Sequence, residues 1–457
     1  MQLIFELSQI FLSTFVLALF MPFFWFVLFI VYLQYRRLAF TEEKLYGRTI
    51  NRVGRQMLFS IGLGIVGGFL ASLALILLGL SLEQMGLYFV WPVAILLMLI
   101  NPRYLCFSYA GGIVTFVVLL MRHFIIPFFP QMAEFAFVES LLRVHIPALL
   151  ILIGLLHLME SLLIYLGGHW GSSPIYLKNV DGTVVGAFSL QRFWPIPLAA
   201  LTVTIVMQSE ILGVDMPGWW PLIRSTLQPG FGQTLQYMIF PVAAGLGYAD
   251  IAFSSTPRER SQSSARDLAI YSTVLLVIAL GSAIYYWLIL PGVLFAPIGH
   301  ELLILYSKKR EQSNLPCYQS SSSGVQLMMV LPGTAAAEAG LLEDDIILKV
   351  NNELPLDNQD LLQKIENSYF LVLLEGTRNG NPFSIVLKKR GSGSAEEKDV
   401  LKTRLHSQSP YALLHGGAAL GLITAPSSGS PVYLEIRKDV TLVAPRRLLR
   451  KLRSWFS

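Results

Sequence analysis

Runs of about twenty apolar residues recur through residues 1–306 of this 457-residue chain. A helix needs about 20 such residues to cross roughly 30 Å of hydrocarbon. The composition agrees, because only 14% of the residues are charged, against about 25% in typical soluble domains. Residues 307–457 lack these runs and have an ordinary soluble composition. The sequence therefore predicts an α-helical polytopic membrane bundle over 1–306, followed by a soluble region.

Seven apolar segments are predicted to span the membrane, and two shorter ones, 87–100 and 293–306, bring the range to seven to nine spans. The short segments contain prolines, and the second also contains Glu301. The seven are residues 10–33, 57–80, 104–121, 146–166, 194–214, 235–253 and 268–289. Between two of them, residues 173–191 alternate apolar and polar side chains around Asp181-Gly182, which predicts a small β-hairpin.

Basic residues predict the orientation, because short cytoplasmic loops are enriched in Lys and Arg. Six basic residues lie between Arg36 and Arg55, and Lys308-Lys309-Arg310 follows the last apolar segment. Both flanks are therefore expected in the cytoplasm, together with the soluble region. The N-terminal apolar stretch has no basic residues before it and is followed by Arg36-Arg37, which favours a retained span over a signal peptide.

The soluble region begins with a polar linker, and residues 313–390 then follow the order strand, short helix, strand, helix and hairpin. The segment VLPGTAAAEAGLLEDDIILKVNNELP closely resembles the bacterial PDZ signature, so we expect a small α+β PDZ-like domain. PDZ domains bind extended peptides by strand addition beside their longer helix, here predicted at residues 358–368. The resemblance implies a groove formed by Val325, Leu327, Leu361, Leu362 and Ile365.

The PDZ pattern is incomplete at the loop that binds a peptide carboxylate. The family has a Gly-Leu-Gly-Phe-like run before the groove strand, whereas residues 316–324 are rich in serine. The alternative is GAALGLI at residues 417–423, downstream of the domain, which can supply a late strand. Capture of a free C-terminus and docking of an internal segment therefore both stay open.

Residues 391–457 are expected to comprise a Gly/Ser-rich linker, short strands at 432–436 and 440–443, and a basic amphipathic C-terminal helix. Such a helix suits the headgroup region of an anionic membrane, and packing against the PDZ-like domain is the equal alternative. The residues predicted to contact lipid are Arg446, Arg447, Arg450, Lys451, Arg453, Trp455 and Phe456.

No catalytic site, metal site or cofactor is predicted. His300-Glu301 resembles the start of a His-Glu-x-x-His zinc motif, but position 304 is isoleucine, so the second histidine one helical turn away is missing. His157 and Glu160 lie at i and i+3 in an apolar run and are candidates for a transport pathway. The two cysteines, Cys106 and Cys317, predict no disulfide framework, and no feature beyond the basic tail suggests a nucleic-acid partner.

The whole arrangement resembles the MinJ family, membrane-bound topology determinants of cell division in rod-shaped Gram-positive bacteria. The similar features are PFFWFVLFIVYLQYRRL near the N-terminus, APIGHELLI before the soluble region, and the PDZ-like domain. The resemblance implies a non-enzymatic adaptor that bridges DivIVA-like and MinD-like proteins, enriched at septa and poles. Membrane lipids and a second copy of the chain are further candidate partners. The alternatives are a transporter or receptor with a PDZ accessory domain, and a degenerate intramembrane-protease-like protein.

Overall fold

Two structural regions follow each other along the chain, a membrane half (residues 2–313) and a C-terminal unit (residues 325–388 with 412–424). The computed structural model describes residues 2–178, 181–210, 214, 216–319, 324–389, 411–427, 430 and 433–435. The helices of the membrane half are α1 Gln2–Phe20, α2 Pro22–Tyr46, α3 Val53–Leu78, α4 Leu87–Ile100, α5 Phe107–Leu120, α6 Ala136–Leu142, α7 Ile146–Gly167, α8 Pro257–Ser282 and α9 Ile289–Ser313.

Six helices among the described residues are long and apolar enough to cross a membrane, so the chain is a multi-pass membrane protein. They are Pro22–Tyr46, Val53–Leu78, Phe107–Ile125, Ile146–Gly167, Pro257–Ser282 and Tyr286–Ser313. Two shorter apolar helices, Ile4–Phe20 and Leu87–Ile100, accompany them. The uncertain segment 293–306 thus lies within a helix of spanning length, whereas 87–100 forms a shorter one.

The predicted first span, residues 10–33, is interrupted in the structure. α1 ends at Phe20, Met21 is extended, and Pro22 is the first residue of α2. Proline disfavours helical backbone at the residue before it and suits the first helical position. One apolar run therefore forms parts of two helices.

Two of the predicted spans, 194–214 and 235–253, are wrong, because both segments are largely strand. β2 (Val184–Met207) and β3 (Gln233–Ala252) form a long antiparallel hairpin with Met207 opposite Gln233. The physical reason is visible in the sequence, since Pro195 and Pro197 lie where a helix would need backbone donors. Hydrophobicity alone does not separate a buried strand from a helix.

β1 (Ser173–Lys178) pairs with the start of β2, with Lys178 opposite Val184 around the Asp181-Gly182 segment. β9 (Leu434–Glu435) adds to β1 in parallel, so the sheet order among the described residues is β3-β2-β1-β9. The predicted hairpin at 173–191 is thus the near end of a much longer one.

The long hairpin runs beside α3 with matched spacing. A Cβ on Gly64 would lie 2.0 Å from the Pro195 carbonyl oxygen, and one on Gly68 would lie 2.1 Å from that of Pro197. Four residues of helix advance about 6 Å and two residues of strand about 6.6 Å. Successive turns of α3 therefore contact every second residue of β2. Only glycine permits so short a distance between the helix and the strand backbone.

Side chains of the helices satisfy the edge of β2 that faces them. The Tyr35 hydroxyl accepts from Phe193 N–H at 3.1 Å, the Ser72 hydroxyl from Ala199 N–H at 2.8 Å, and a Glu83 carboxylate oxygen from Val203 N–H at 3.2 Å. An unpaired strand edge is tolerated among apolar helices only when protein groups bond to it. These three helix-side groups allow the strand to lie within the bundle.

The C-terminal unit is a five-stranded sheet with helices packed on it. The elements are β4 Val325–Val330, α10 Ala335–Glu338, β5 Ile346–Val350, α11 Asn358–Asn367, β6 Leu371–Arg378, β7 Asn381–Lys388, α12 Ala412–Leu420 and β8 Leu422–Thr424. The sheet order among the described residues is β7-β6-β5-β4-β8. Asp357 caps α11 by accepting from Asp360 N–H at 2.8 Å, and Gly340 takes the positive φ that ends the helical segment after α10.

Candidate functional site

The sheet of the C-terminal unit ends at β8, a strand supplied from downstream of the rest of the unit. β8 pairs antiparallel with β4, bounded by Leu331 N–H donating to Gly421 oxygen at 2.9 Å and Ala425 N–H donating to Gln326 oxygen at 2.8 Å. Backbone groups alternate sides along a strand. The backbone groups of Leu422 and Thr424 therefore point away from β4, toward the outer edge of the sheet.

Helix α11 lies beside this outer edge. Asn358 at its start donates from Nδ2 to the Ala425 oxygen at 3.3 Å. Further along the helix, Leu362 is buried, and its Cδ1 lies 3.5 Å from the position that a Cβ on Gly417 would take. The space between this strand edge and α11 is called the cleft below, because strand-addition modules bind extended peptides between a strand edge and a helix.

The structure places the five predicted groove residues in two different environments. Four of them, Val325, Leu327, Leu361 and Ile365, belong to the hydrophobic core of the C-terminal unit. They hold its sheet and helices together rather than line an open cleft. Leu362 lies on the cleft side of α11, and peptide binding by any of the five stays a prediction.

The chain itself covers the cleft. The Tyr176 hydroxyl of β1 donates to the outward Thr424 oxygen at 2.7 Å, and helix α12 lies against the outward Leu422 oxygen, where a Cβ on Gly417 would come within 2.6 Å. Burial raises the pKa of Tyr176, so its hydroxyl stays protonated and remains a donor. One outward oxygen of β8 thus accepts a hydrogen bond from Tyr176, and the other is covered by α12.

Further contacts fix the C-terminal unit to one end of the membrane half. Gly186 N–H donates to the Tyr318 oxygen at 2.7 Å, and Cys317 N–H donates to the Phe253 oxygen at 3.1 Å. A nitrogen of the His415 ring lies 3.1 Å from the Lys44 oxygen at the end of α2. Leu414, Ala418 and Ile423 join the same hydrophobic cluster as the membrane helices. The cleft is therefore part of an interface between the two regions.

Ion pairs lie on the partly exposed side of α11. Lys364 pairs with Glu353 at 2.8 Å and with Asp360 at 3.5 Å. Its hydrogen bond to Glu353 raises the pKa of Lys364. On the opposite part of the unit, the buried Asp345 carboxylate accepts from Arg378 at 2.7 Å and from Leu342 N–H at 2.8 Å. The charged groups named here are therefore held by hydrogen bonds and ion pairs within the unit.

The membrane half brings together a group that sequence spacing did not reveal. Cys106, His157 and His300 place their ligand atoms within 4.8 Å of one another. The expectation of no metal site rested on Ile304, but the second histidine comes from α7 rather than from the same helix. Glu301 is bound elsewhere, by Arg103 and by the Tyr109 hydroxyl at 2.6 Å. No local pattern signals this group, because Cys106 is 51 and 194 residues away from the two histidines.

The predicted lipid-contacting tail, Arg446, Arg447, Arg450, Lys451, Arg453, Trp455 and Phe456, lies outside the described residues. The strand predicted at 440–443 does as well, and of the strand predicted at 432–436 the structure describes residues 433–435. Lipid contact by the tail stays a prediction.

Comparison with known proteins supports the resemblance stated above. No family model matches the chain, and no solved structure matches it. The cell division topological determinant MinJ of Bacillus subtilis (strain 168) is 26% identical over 232 residues, which are 50% of this chain. The chain covers 54% of the length of that relative. This multi-pass membrane protein is therefore similar to MinJ across about half of its own length.

Proposed function

We propose that this chain is a non-enzymatic membrane adaptor of the division site, and that its C-terminal unit is a PDZ-like docking module. The observation that carries the proposal is the outer edge of β8 beside α11, a strand edge next to a helix. The similarity to a division topological determinant supplies the process in which the module acts. By the same similarity, the proposed partners are a DivIVA-like polar scaffold and a MinD-like division inhibitor.

The residues that open β8 support the PDZ-like interpretation. Leu420-Gly421-Leu422-Ile423 has the apolar-Gly-apolar character of the carboxylate-binding loop, and Gly421 has φ +90° immediately before the strand. Only glycine adopts that backbone readily. The groove strand thus follows the remainder of the module in sequence, which explains why the serine-rich residues before β4 lack the motif.

The covered cleft implies a condition on docking. A partner segment that pairs with β8 must displace the Tyr176 hydroxyl from the Thr424 oxygen. It must also move α12 away from the outer edge of β8. The membrane half therefore competes with the partner for the same strand edge. We propose that the partner displaces the membrane half from this strand edge when several partner copies are concentrated at the membrane.

The test of the adaptor is imaging of a fluorescent fusion in growing rod-shaped Gram-positive cells. We expect enrichment at septa and poles, and we expect a chain lacking residues 325–427 to remain in the membrane but to lose that enrichment. A uniformly distributed full-length chain contradicts the proposal. If the chain lacking residues 325–427 keeps the distribution and the cellular function of the full-length chain, the transporter or receptor alternative is favoured.

The proposed orientation places the C-terminal unit in the cytoplasm. The test replaces Cys317 by Ser and adds one cysteine, either at exposed Ser313 beside the unit or at Gly218. Gly218 lies in the segment linking β2 to β3, near the end of α3 where Gly79 meets Pro221. An impermeant maleimide should label Gly218→Cys but not Ser313→Cys in intact cells, and the reverse result overturns the orientation.

A further inference from the structure

Three metal-ligand side chains meet inside the membrane half. The Cys106 Sγ lies 3.0 Å from Nε2 of His157 and 3.8 Å from Nε2 of His300. A tetrahedral Zn²⁺ with Zn–S near 2.3 Å and Zn–N near 2.0 Å separates its ligand atoms by roughly 3.3–3.6 Å. The two sulfur–nitrogen separations lie on either side of this range, and all three ligand atoms lie within 4.8 Å of one another. Side-chain movements would therefore have to bring the three atoms to one ion.

The topology explains how these residues come together. Helix α4 has only 14 residues, about 21 Å, which is too short to span. Both ends of the α4–α5 hairpin lie at the same end of the bundle: Gly86 packs on Val144, and Arg122 donates to the Val144 oxygen at 2.7 Å. The hairpin therefore enters the bundle and returns, and Cys106 lies in the turn at its tip.

The two histidines lie about half-way along their helices. His157 is about 16 Å from the start of α7, and His300 is about 16 Å from the start of α9. Both are buried, with 4% and 9% of their surface exposed. Ionisable side chains at such a depth are rare and usually serve a function.

The orientation of His157 suits a ligand. Its Nδ1 lies 2.7 Å from the Ile153 oxygen, so that nitrogen is the natural position of the ring proton and Nε2 presents its lone pair to Cys106. Metal-bound histidines usually donate their other ring N–H to a backbone carbonyl in this way. Ser108 N–H also points to Cys106 Sγ at 3.4 Å, so a backbone donor and an imidazole nitrogen both face the sulfur.

Aromatic rings hold His300 in place. Tyr109 and Tyr271 pack edge-on against it, with ring centroids 5.2 and 5.5 Å away. A hydrogen bond between a thiol and an imidazole accounts for one of the two histidines, because Cys106 has one proton to donate. The second imidazole nitrogen directed at the same sulfur must then either donate its own N–H to that sulfur or share a metal ion with it.

From this geometry we propose that Cys106, His157 and His300 bind Zn²⁺. A thiolate with two neutral imidazoles matches the borderline softness of this ion, and three protein ligands leave its fourth position to water or to another ligand. The ion would fasten the tip of the α4–α5 hairpin to α7 and α9. Because α9 leads into the C-terminal unit, the site would also fix the helix on which that unit is mounted, a role beyond the proposed adaptor function.

The test uses the full-length chain in detergent micelles, stripped with a chelator and reloaded with Zn²⁺ or Co²⁺ alone. We expect one Zn²⁺ per chain and, with Co²⁺, a near-ultraviolet sulfur-to-cobalt charge-transfer band. Cys106→Ser should abolish the band. His157→Asn and His300→Asn should each weaken Zn²⁺ binding by at least about 10–100-fold, the loss seen when residues that only support metal ligands are changed.

Cys317→Ser is the matched control, since the other cysteine lies outside the membrane helices and burial raises its pKa to about 11. This variant should keep the metal and the band. Elution of each variant as wild type on size exclusion shows that it is folded. A stripped wild-type chain that takes up no Zn²⁺, a Co²⁺ spectrum without the sulfur band, preferential retention of Cu⁺ over Zn²⁺, or full metal content in folded Cys106→Ser would each overturn the proposal.

Discussion

The membrane half and the C-terminal unit both contain antiparallel sheet, but they satisfy its edges differently. In the C-terminal unit, the β4 to β8 strands pair with one another over a core of their own side chains. In the membrane half, β2 has helices beside it, and Tyr35, Ser72 and Glu83 bond directly to its backbone. The first arrangement depends on local pairing, and the second depends on matched positions far apart in the chain.

This difference predicts how each region responds to substitution. A sheet with its own core should unfold as a unit when that core is broken. A strand that depends on helix side chains should be sensitive to single atoms at the helix surface. Four substitutions test this, in order of decreasing expected effect.

Leu361→Asp should unfold the C-terminal unit. Leu361 has no exposed surface, and burial of an unpaired carboxylate there costs several kcal/mol, about 4 or more. Limited proteolysis of the full chain in micelles should cleave within residues 325–388 while the membrane helices stay protected. Gln363→Asp, exposed on the same helix, is the control and should resist cleavage. Loss of the membrane helices as well would show that the two regions fold as one cooperative unit.

Gly64→Ala should destabilise the membrane half by about 3 kcal/mol, because the new methyl group meets strand backbone that cannot rotate away. The control is Gly62→Ala, where no atom lies within 4 Å of the added carbon. That change should leave stability unchanged or raise it by up to about 1 kcal/mol through helix propensity. Thermal unfolding of both variants in one detergent provides the measurement, and equal melting temperatures would contradict the close packing of α3 on β2.

Ser72→Ala should cost about 2 kcal/mol, because it leaves the Ala199 N–H unpaired in an apolar setting. Ser13→Ala is matched to it, since the Ser13 hydroxyl donates to the Ile10 oxygen within its own exposed helix turn. Hydrogen exchange should show the Ala199 amide losing protection in the first variant alone. Unchanged protection would mean that the helix side chain does not support the strand.

Tyr176→Phe should have the smallest effect, about 1 kcal/mol, through loss of one hydrogen bond to Thr424. Docking at β8, as proposed above, requires this bond to break, so the variant should bind a DivIVA-like or MinD-like partner up to about fivefold more tightly in pull-down titrations. Tyr369→Phe, at a tyrosine that is 94% exposed, should leave affinity unchanged. Weaker partner recovery by Tyr176→Phe would indicate that the hydroxyl supports docking instead of opposing it.

The sequence by itself determined the membrane class and the order of elements in the C-terminal unit. Long apolar runs have no other stable environment, and turns such as Asn379-Gly380 and the cap at Asp357 act over a few residues. Signals of this kind depend only on neighbouring residues, so they can be recognised from the sequence. The strand at 422–424, noted as a downstream alternative, was also within reach because its glycine pattern is local.

Only the tertiary structure decided whether residues 194–214 and 235–253 were helix or strand, since a buried strand and a buried helix are equally apolar. It also decided that Val325 and Leu361 are core residues, that Tyr176 covers the β8 edge, and that Cys106 lies between His157 and His300. The last two depend on contacts between residues 51 to 248 positions apart in the chain. Such contacts form only when helices and strands pack with their positions matched, and no short stretch of sequence carries that information.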